Sequence, residues 1–321
     1  MLPARPALPR QPERGEHVRR RRHLPRPDRA HAGRVAHRAP GAGDDLDRRQ
    51  RGDLRAGPGA PARAGGGVPP VIKVYALLPK RPDITAEAFH EHWATTHREH
   101  ALRITRLRRY VQAHRLEQDV PGLRTAPYEG IPEVWYDSLE SAVGQDDDPD
   151  YTEHAQKDEP SFVDMAGIAW VMTDEALLRD DLLLEQDTPV HKLLLLAVRP
   201  AGQDPAAFAA AWRAAAEDVV ATTGVRRAAV ATVLPDAYAS GDPAYDGVLE
   251  LWWPDEAAHA DAWAAHGEDV VARLTAVADA ERLRAAAVHE LRVIWPGPAR
   301  DAVAAPAAPN FTTHDERLEG N

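Results

Sequence analysis

Val71-Ile72-Lys73-Val74-Tyr75-Ala76-Leu77-Leu78 returns 119 residues later as Val190-His191-Lys192-Leu193-Leu194-Leu195-Leu196-Ala197. The same spacing carries Phe89 to Phe208 and Trp93 to Trp212. Slightly shorter spacings carry Leu107-Arg108-Arg109 to Val225-Arg226-Arg227, and Tyr128-Glu129-Gly130-Ile131-Pro132-Glu133-Val134-Trp135 to Tyr245-Asp246-Gly247-Val248-Leu249-Glu250-Leu251-Trp252. Self-similarity at one period, drifting by single residues, is what two copies of one unit with small loop deletions produce.

Each copy reads as the same succession of elements. An apolar run opens it as a strand. Thr85 can cap a helix carrying Phe89, Trp93 and His97 on one stripe. Asp204 and Pro205 open the matching helix, with Pro at its first position. Strands follow near 107–116 and 131–137, then a helical stretch within 138–166, and a closing strand at 168–172. Residues 291–295 close the second copy. This βαββαβ order predicts an α+β fold of two tandem ferredoxin-like units. Helices cover one face of each sheet and leave the other open, so packing the open faces together predicts a single-chain α+β barrel. The expected units are 71–180 and 181–296, linked by an acidic, Leu-rich connector at 174–188.

Charge divides the chain. Residues 1–70 hold sixteen Arg, no Lys and seven acidic residues, a net +9, whereas the remainder carries −20. The basic segment contains no Phe, Tyr, Trp, Ile, Ser or Thr, so it cannot bury enough apolar surface to offset ordering entropy and is expected to be disordered. Its composition is also what GC-rich DNA gives when translated upstream of a true start, with Val71 a plausible first residue. The Pro/Ala-rich tail 297–321 is expected to be disordered too. The acidic remainder argues against nucleic acid as a partner. No apolar stretch is long enough to span a bilayer, and the start lacks a signal-peptide core, so the expected location is the cytoplasm. The absence of cysteine excludes thiolate catalysis and disulfides.

Phe89-His90-Glu91-His92-Trp93-Ala94-Thr95-Thr96-His97 resembles the F-x-x-H-W-x-x-x-H motif of EthD-domain proteins. Leu107-Arg108-Arg109-Tyr110-Val111-Gln112 resembles that family's second strand, and Tyr128 to Trp135 its third. The resemblance covers the first copy; the second keeps only the framework. It implies a dimeric α+β-barrel fold within a superfamily of cofactor-free cyclases, decarboxylases, isomerases, small monooxygenases and haem-degrading enzymes. Fold does not fix function, so the site must be argued from its residues.

The copies differ in their polar residues. Tyr75, Tyr110, Gln112 and His114 become Leu194, Ala228, Val230 and Thr232, while His92 faces Ala211 and His97 an alanine run. Groups confined to one copy suggest one polar site. Tyr110, Gln112 and His114 alternate along a strand and share a face, assigned here to the barrel lumen. The expected catalytic residues are His97, Tyr110, His114 and His92; the expected substrate contacts are Tyr75, Gln112, Glu133 and Trp135. Glu133, repeated as Glu250, also reads as framework paired with an Arg. At about 100° per residue, His92 and His97 diverge by about 140° on an α-helix, too far for one small substrate. A cofactor-independent enzyme transferring protons or oxygen on a small aromatic or polyketide-like compound is one reading. A non-catalytic small-molecule-binding protein is another, and a haem held by His97 a third. No metal motif, dinucleotide loop or serine elbow is present. The expected assembly is a monomer closing its barrel internally, or a higher homo-oligomer.

Overall fold

The computed structural model describes residues 72–295; the expectations for 1–70 and 297–321 lie outside them. Strand β1 (Ile72–Leu77) leads to α1 (Ala86–His92), where the Thr85 hydroxyl accepts the Ala88 N–H at 3.1 Å. The helix runs on through a π turn, Trp93–His97, into α2 (Arg98–Ala101). Strands β2 (Arg109–Arg115), β3 (Arg124–Thr125) and β4 (Gly130–Tyr136) follow. In place of one second helix comes a broken run: α3 (Leu139–Val143), a π turn at Tyr151–Ala155, and α4 (Gln156–Asp158), joined by 3-10 turns. It ends in β5 (Ala169–Asp180).

The second half is more regular. Strand β6 (His191–Ala197) precedes a 19-residue α5 (Pro205–Thr223), capped by Asp204 with Pro205 at its first position. Gly224, at φ +62, ends α5 in the left-handed region that favours glycine. Then come β7 (Arg227–Val233), β8 (Gly247–Trp253), the 22-residue α6 (Glu256–Val277) and β9 (Arg284–Ile294).

The strands run β2-β4-β1-β5-β7-β8-β6-β9, and β9 pairs back to β2. All eight of these pairings are antiparallel, so they form a closed eight-stranded barrel; β3 adds a two-residue parallel contact to β9. In each half the spatial order is second, third, first, fourth strand. The halves meet along two seams, β5–β7 and β2–β9. Strand β5 extends past the predicted end at Met172 because Thr173 to Asp180 pair with β7 from Val233 back to Arg227. Much of the expected connector is therefore strand.

Alternation sorts side chains between lumen and helix layer. One end of the lumen is apolar, filled by Tyr75, Leu77, Val171, Leu194, Leu196 and Val248 among others. The other end is charged. Lys73 Nζ lies 2.9 Å from Glu133, 2.7 Å from Glu175 and 2.6 Å from Glu250. Lys192 Nζ lies 2.8 Å from Glu250 and 2.9 Å from Glu290, and also bonds Glu133. Each ammonium sits over an indole, Lys73 4.4 Å from the Trp135 ring and Lys192 4.5 Å from Trp252. Those indoles donate to Glu175 and Glu290. Glu133 thus pairs with lysines rather than the expected Arg, and Glu133 and Trp135 belong to this lumen cluster. Burial and the Glu250 charge push Glu133 up to about 8. Glu250 is equally buried, but Lys192 and Lys73 outweigh that and hold it well below the usual carboxylate range.

Outside the barrel, one recurring residue has a steric cause. A Cβ at Gly130 would lie 2.5 Å from the Trp93 ring, and one at Gly247 2.7 Å from that of Trp212. Glycine lets the helix tryptophan lie flat on the third strand in both halves. Gly130→Ala and Gly247→Ala should each destabilise the fold by about 1–3 kcal/mol through overpacking, measured by urea denaturation. Lys192→Met should cost more, roughly 3–5 kcal/mol, because it leaves buried carboxylates without their cation. An unchanged urea midpoint for Lys192→Met would refute the energetic role of the cluster.

Candidate active site

The face carrying Tyr110, Gln112 and His114 is not the lumen face. All three point outward, beneath α1. The Trp93 indole N–H donates to the Tyr110 hydroxyl oxygen at 3.0 Å, and Gln112 Nε2 donates to the Trp93 carbonyl at 2.8 Å. Tyr75 lies on the opposite face, in the lumen, with the Lys73 ammonium 4.7 Å from its ring. Burial and the Glu250 carboxylate push its phenol well up. The inward residues of β2 include Ala113, packed with Tyr75. The reason is register: Val111 and Ala113 are small enough for the filled lumen, whereas Tyr110 and Gln112 need the helix as hydrogen-bonding partner.

Between the outer face of this half-sheet and its helical layer lies a cavity of ≈ 60 Å³. Its walls are mostly apolar, among them Ala76, Leu107, Pro132 and Val134, and its polar groups are His97, Tyr110, Gln145, Tyr151 and Glu159. Trp170, 43% exposed, stands at its rim. A larger open groove of ≈ 720 Å³ runs along α6 beside residues 118–122. It contains none of the predicted site residues, so size and chemistry point to different places. The smaller cavity is the candidate, because buried titratable groups converge only there among the two.

The π turn reshapes the histidines. In a π turn the backbone bond spans five residues, which brings positions i and i+5 toward one face. His92 and His97, which an unbroken α-helix would separate, both reach Asp158. His92 Nε2 lies 2.9 Å from one carboxylate oxygen, and His97 Nδ1 2.9 Å from the other. Burial pushes His97 below the ordinary imidazole value despite the pull of Asp158, so the ring is neutral near pH 7. With Nδ1–H donated to Asp158, the basic lone pair is on Nε2. His97 lines the cavity; His92 bonds Asp158 from the flank, close to Ser161.

Tyr110 Oη accepts a second bond, from Gln112 Nε2 at 3.0 Å. With both lone pairs engaged, its O–H is available to donate, and burial keeps it protonated. Glu159 accepts the Tyr151 hydroxyl at 2.9 Å. Burial raises its pKa to about 7 even against that bond. Its neighbour Asp158 is held near 2: burial opposes ionisation, but hydrogen bonds from His97 and His92 prevail. Adjacent carboxyl groups thus have opposite tuning, a pattern typical of acid and base roles.

His114, expected to be catalytic, lies behind this wall. It bonds Gln112 and His90 and is not part of the cavity lining. Tyr151, Asp158 and Glu159 escaped the sequence reading because they sit in the broken run 139–161, whose sequence does not match that of its counterpart, α6. In the second half the equivalents of the site are packing residues: Ala216, Ala228 and Val230 join Phe208, Trp212 and Trp253 in one apolar core. At ≈ 60 Å³ the cavity is far too small for a porphyrin, so the site as formed does not fit a haem.

Residues 81–166 match the EthD domain. No curated protein matches the chain. Among solved structures, an anthrone oxidase-like protein is 11% identical with a TM-score of 0.47, covering 70% of this chain and 93% of its own. A candidate monooxygenase from Fusobacterium nucleatum is 11% identical with a TM-score of 0.44, covering 69% and 92%. A mutant chlorite dismutase from Candidatus Nitrospira defluvii in complex with cyanide is 8% identical with a TM-score of 0.37, covering 70% and 92%. Among the described residues no helix is long and apolar enough to cross a membrane.

The Glu159 shift has a thermodynamic consequence. The folded chain holds this proton to about pH 7, the unfolded chain only to about 4.5. The native state therefore binds more protons between those values, and stability should fall as pH rises across that window, by on the order of 3 kcal/mol. Glu159→Gln should flatten that part of the profile when urea midpoints are compared at pH 5 and pH 8.

Proposed function

We propose that this chain is a cofactor-independent enzyme that moves a proton on a small phenol- or carbonyl-bearing compound, the reactive end of which enters the cavity of the first half. The carrying observation is that His97, clamped by Asp158, and Tyr110, with both acceptor sites filled, line the same apolar cavity. His97 Nε2 takes a proton from a substrate hydroxyl or from the carbon beside a carbonyl. Tyr110 donates to the oxygen that gains charge. Glu159, able to change protonation near pH 7, returns or receives the second proton. The resulting enolate or phenolate can be reprotonated elsewhere, which is isomerisation, or meet dioxygen, which is oxygenation. The volume supports entry of a few heavy atoms, so a larger aromatic compound would leave its remainder at the rim beside Trp170.

This reading includes the origin of the asymmetry: the halves are tandem ferredoxin-like copies, of which the first alone keeps the site. The shared strand order, the paired lysines and glutamates, and the paired Trp–Gly contacts support it. A non-catalytic binding role is favoured by one observation, the small volume, which would suit capture of a fragment without room for rearrangement.

Solvent-deuterium exchange separates the two. The protein, without added cofactor, is offered a panel of small cyclic ketones, 1,3-diketones and naphthols, and exchange at the acidic carbon is followed by NMR. Catalysed exchange should fall by about 10²–10⁴-fold in His97→Gln, the usual worth of a general base, and by about 10²-fold in Tyr110→Phe. Binding without exchange would favour the second role. Exchange unchanged in His97→Gln would overturn the proposal.

A further inference from the structure

Behind Tyr110 a line of polar side chains runs away from the cavity to the sheet edge. Gln112 Nε2 bonds Tyr110, and its Oε1 lies 3.2 Å from His114 Nε2. His114 Nδ1 lies 2.9 Å from His90 Nδ1. His90 Nε2 lies 3.2 Å from Glu129, which also accepts from Arg115 at 3.0 Å. Gln112 and His114 are 0% and 1% exposed, His90 and Glu129 8% and 7%.

We infer that His114 is a positioning residue that, together with the Trp93 carbonyl, holds the Gln112 amide so that the Tyr110 O–H is turned toward the cavity. The deduction starts from one group that can only accept, the Trp93 carbonyl in the π turn. It must face the NH₂ end of Gln112, which fixes the amide without appeal to any assignment. Gln112 Oε1 then requires a donor, so His114 carries a proton on Nε2. One proton lies between the two Nδ1 atoms. His114 Nδ1 then accepts, so the proton between the two rings is carried by His90 Nδ1. Burial and the neighbouring His90 and His289 rings keep His114 neutral, and His90 and Arg115 hold Glu129 ionised against its burial.

Every bond from His90 to Tyr110 then has a single allowed direction. The last donates into a Tyr110 lone pair, while Trp93 Nε1 fills the other, so the hydroxyl proton is turned outward, toward the cavity. Reversing any member would set two acceptors or two donors face to face in a buried place. The equivalent positions of the second half, Ala209, Asp246, Thr232, Val230 and Ala228, cannot build such a line. Asp246 there bonds Arg199 and Tyr238 instead.

The arrangement of protons stands independently of the proposed reaction; its use in catalysis rests on that reading. The first measurement therefore needs neither substrate nor variant. Long-range ¹H–¹⁵N spectra of the full chain, ¹⁵N-labelled at histidine, should show His114 protonated on Nε2 alone at pH 7. His114 protonated on Nδ1 alone, with Gln112 reversed, would overturn the inference. The second measurement labels tyrosine at the ζ carbon. His114→Leu should free the Gln112 oxygen and shift the Tyr110 ζ-carbon resonance, while Arg115→Gln, at the far end of the line, should leave it in place. A His114→Leu variant that keeps a wild-type backbone spectrum and an unmoved Tyr110 resonance would equally sink it. If the positioning is correct and the proton-transfer reading wrong, these signatures persist with no deuterium exchange on any compound.

Discussion

Two lysines and four glutamates at one end of the lumen hold the barrel in register. Lys73 and Glu133 come from the first half, Lys192 and Glu250 from the second, and each ammonium reaches a carboxylate of the other half. Such a cluster is a poor source of net stability, since desolvating ions consumes most of the attraction between them. Its leverage lies elsewhere. Either half alone would leave buried charge uncompensated, so the charges are satisfied only when both sheets close at one spacing and one register. A slip of one residue along either seam would turn Glu175 or Glu290 out of the lumen and bring an outward residue in. The apolar end of the lumen, by contrast, would tolerate several packings.

The candidate cavity lies outside the sheet, where helices set the available space. The second half shows the default: regular helices α5 and α6, small apolar strand residues, and a core packed through Phe208, Trp212 and Trp253. The first half departs from it in a coordinated way. Tyr110 and Gln112 replace Ala228 and Val230, and the helix above them contains a π turn. The second helix is broken into short pieces that carry Tyr151, Asp158 and Glu159 inward. Each departure removes regular packing and adds a polar group that another departure satisfies. Gln112 bonds the backbone of the π turn, and Asp158 bonds the two histidines that the turn aligns.

The lumen and the strand order were legible because they are written twice. Lys73 and Lys192, Glu133 and Glu250, Trp93–Gly130 and Trp212–Gly247 identify one another, and the cap signals at Thr85 and Asp204 give the helix starts. What the repeat could not supply was the face of β2. Both faces of that strand read as mixed: Arg109 and Val111 on one side, Tyr110 and Gln112 on the other. Polarity suggested the lumen for Tyr110, yet the lumen already had its charge in lysines and glutamates read as framework. A π turn has no signature in residue spacing, so the convergence of His92 and His97 was equally hidden. The residues 139–161 share too little sequence with their counterpart, α6, for an unusual acid pair to stand out.

The contrast between Asp158 and Glu159 shows what these irregularities accomplish. Consecutive residues in a regular helix point about 100° apart, and here the chain passes from α4 into a 3-10 turn between them. One carboxyl meets two imidazoles and stays ionised; the other turns into the apolar cavity with only the Tyr151 hydroxyl for company and keeps its proton to about pH 7. The same two residues in an exposed helix would titrate together. Oppositely tuned groups have been produced without a metal ligand set among the described residues by a change of helix type at one peptide. Glu159 and His97 both line the cavity, which is what the proposed proton transfer asks of them. That placement comes from the broken helix, so the half that carries the polar residues is also the half whose helices are irregular.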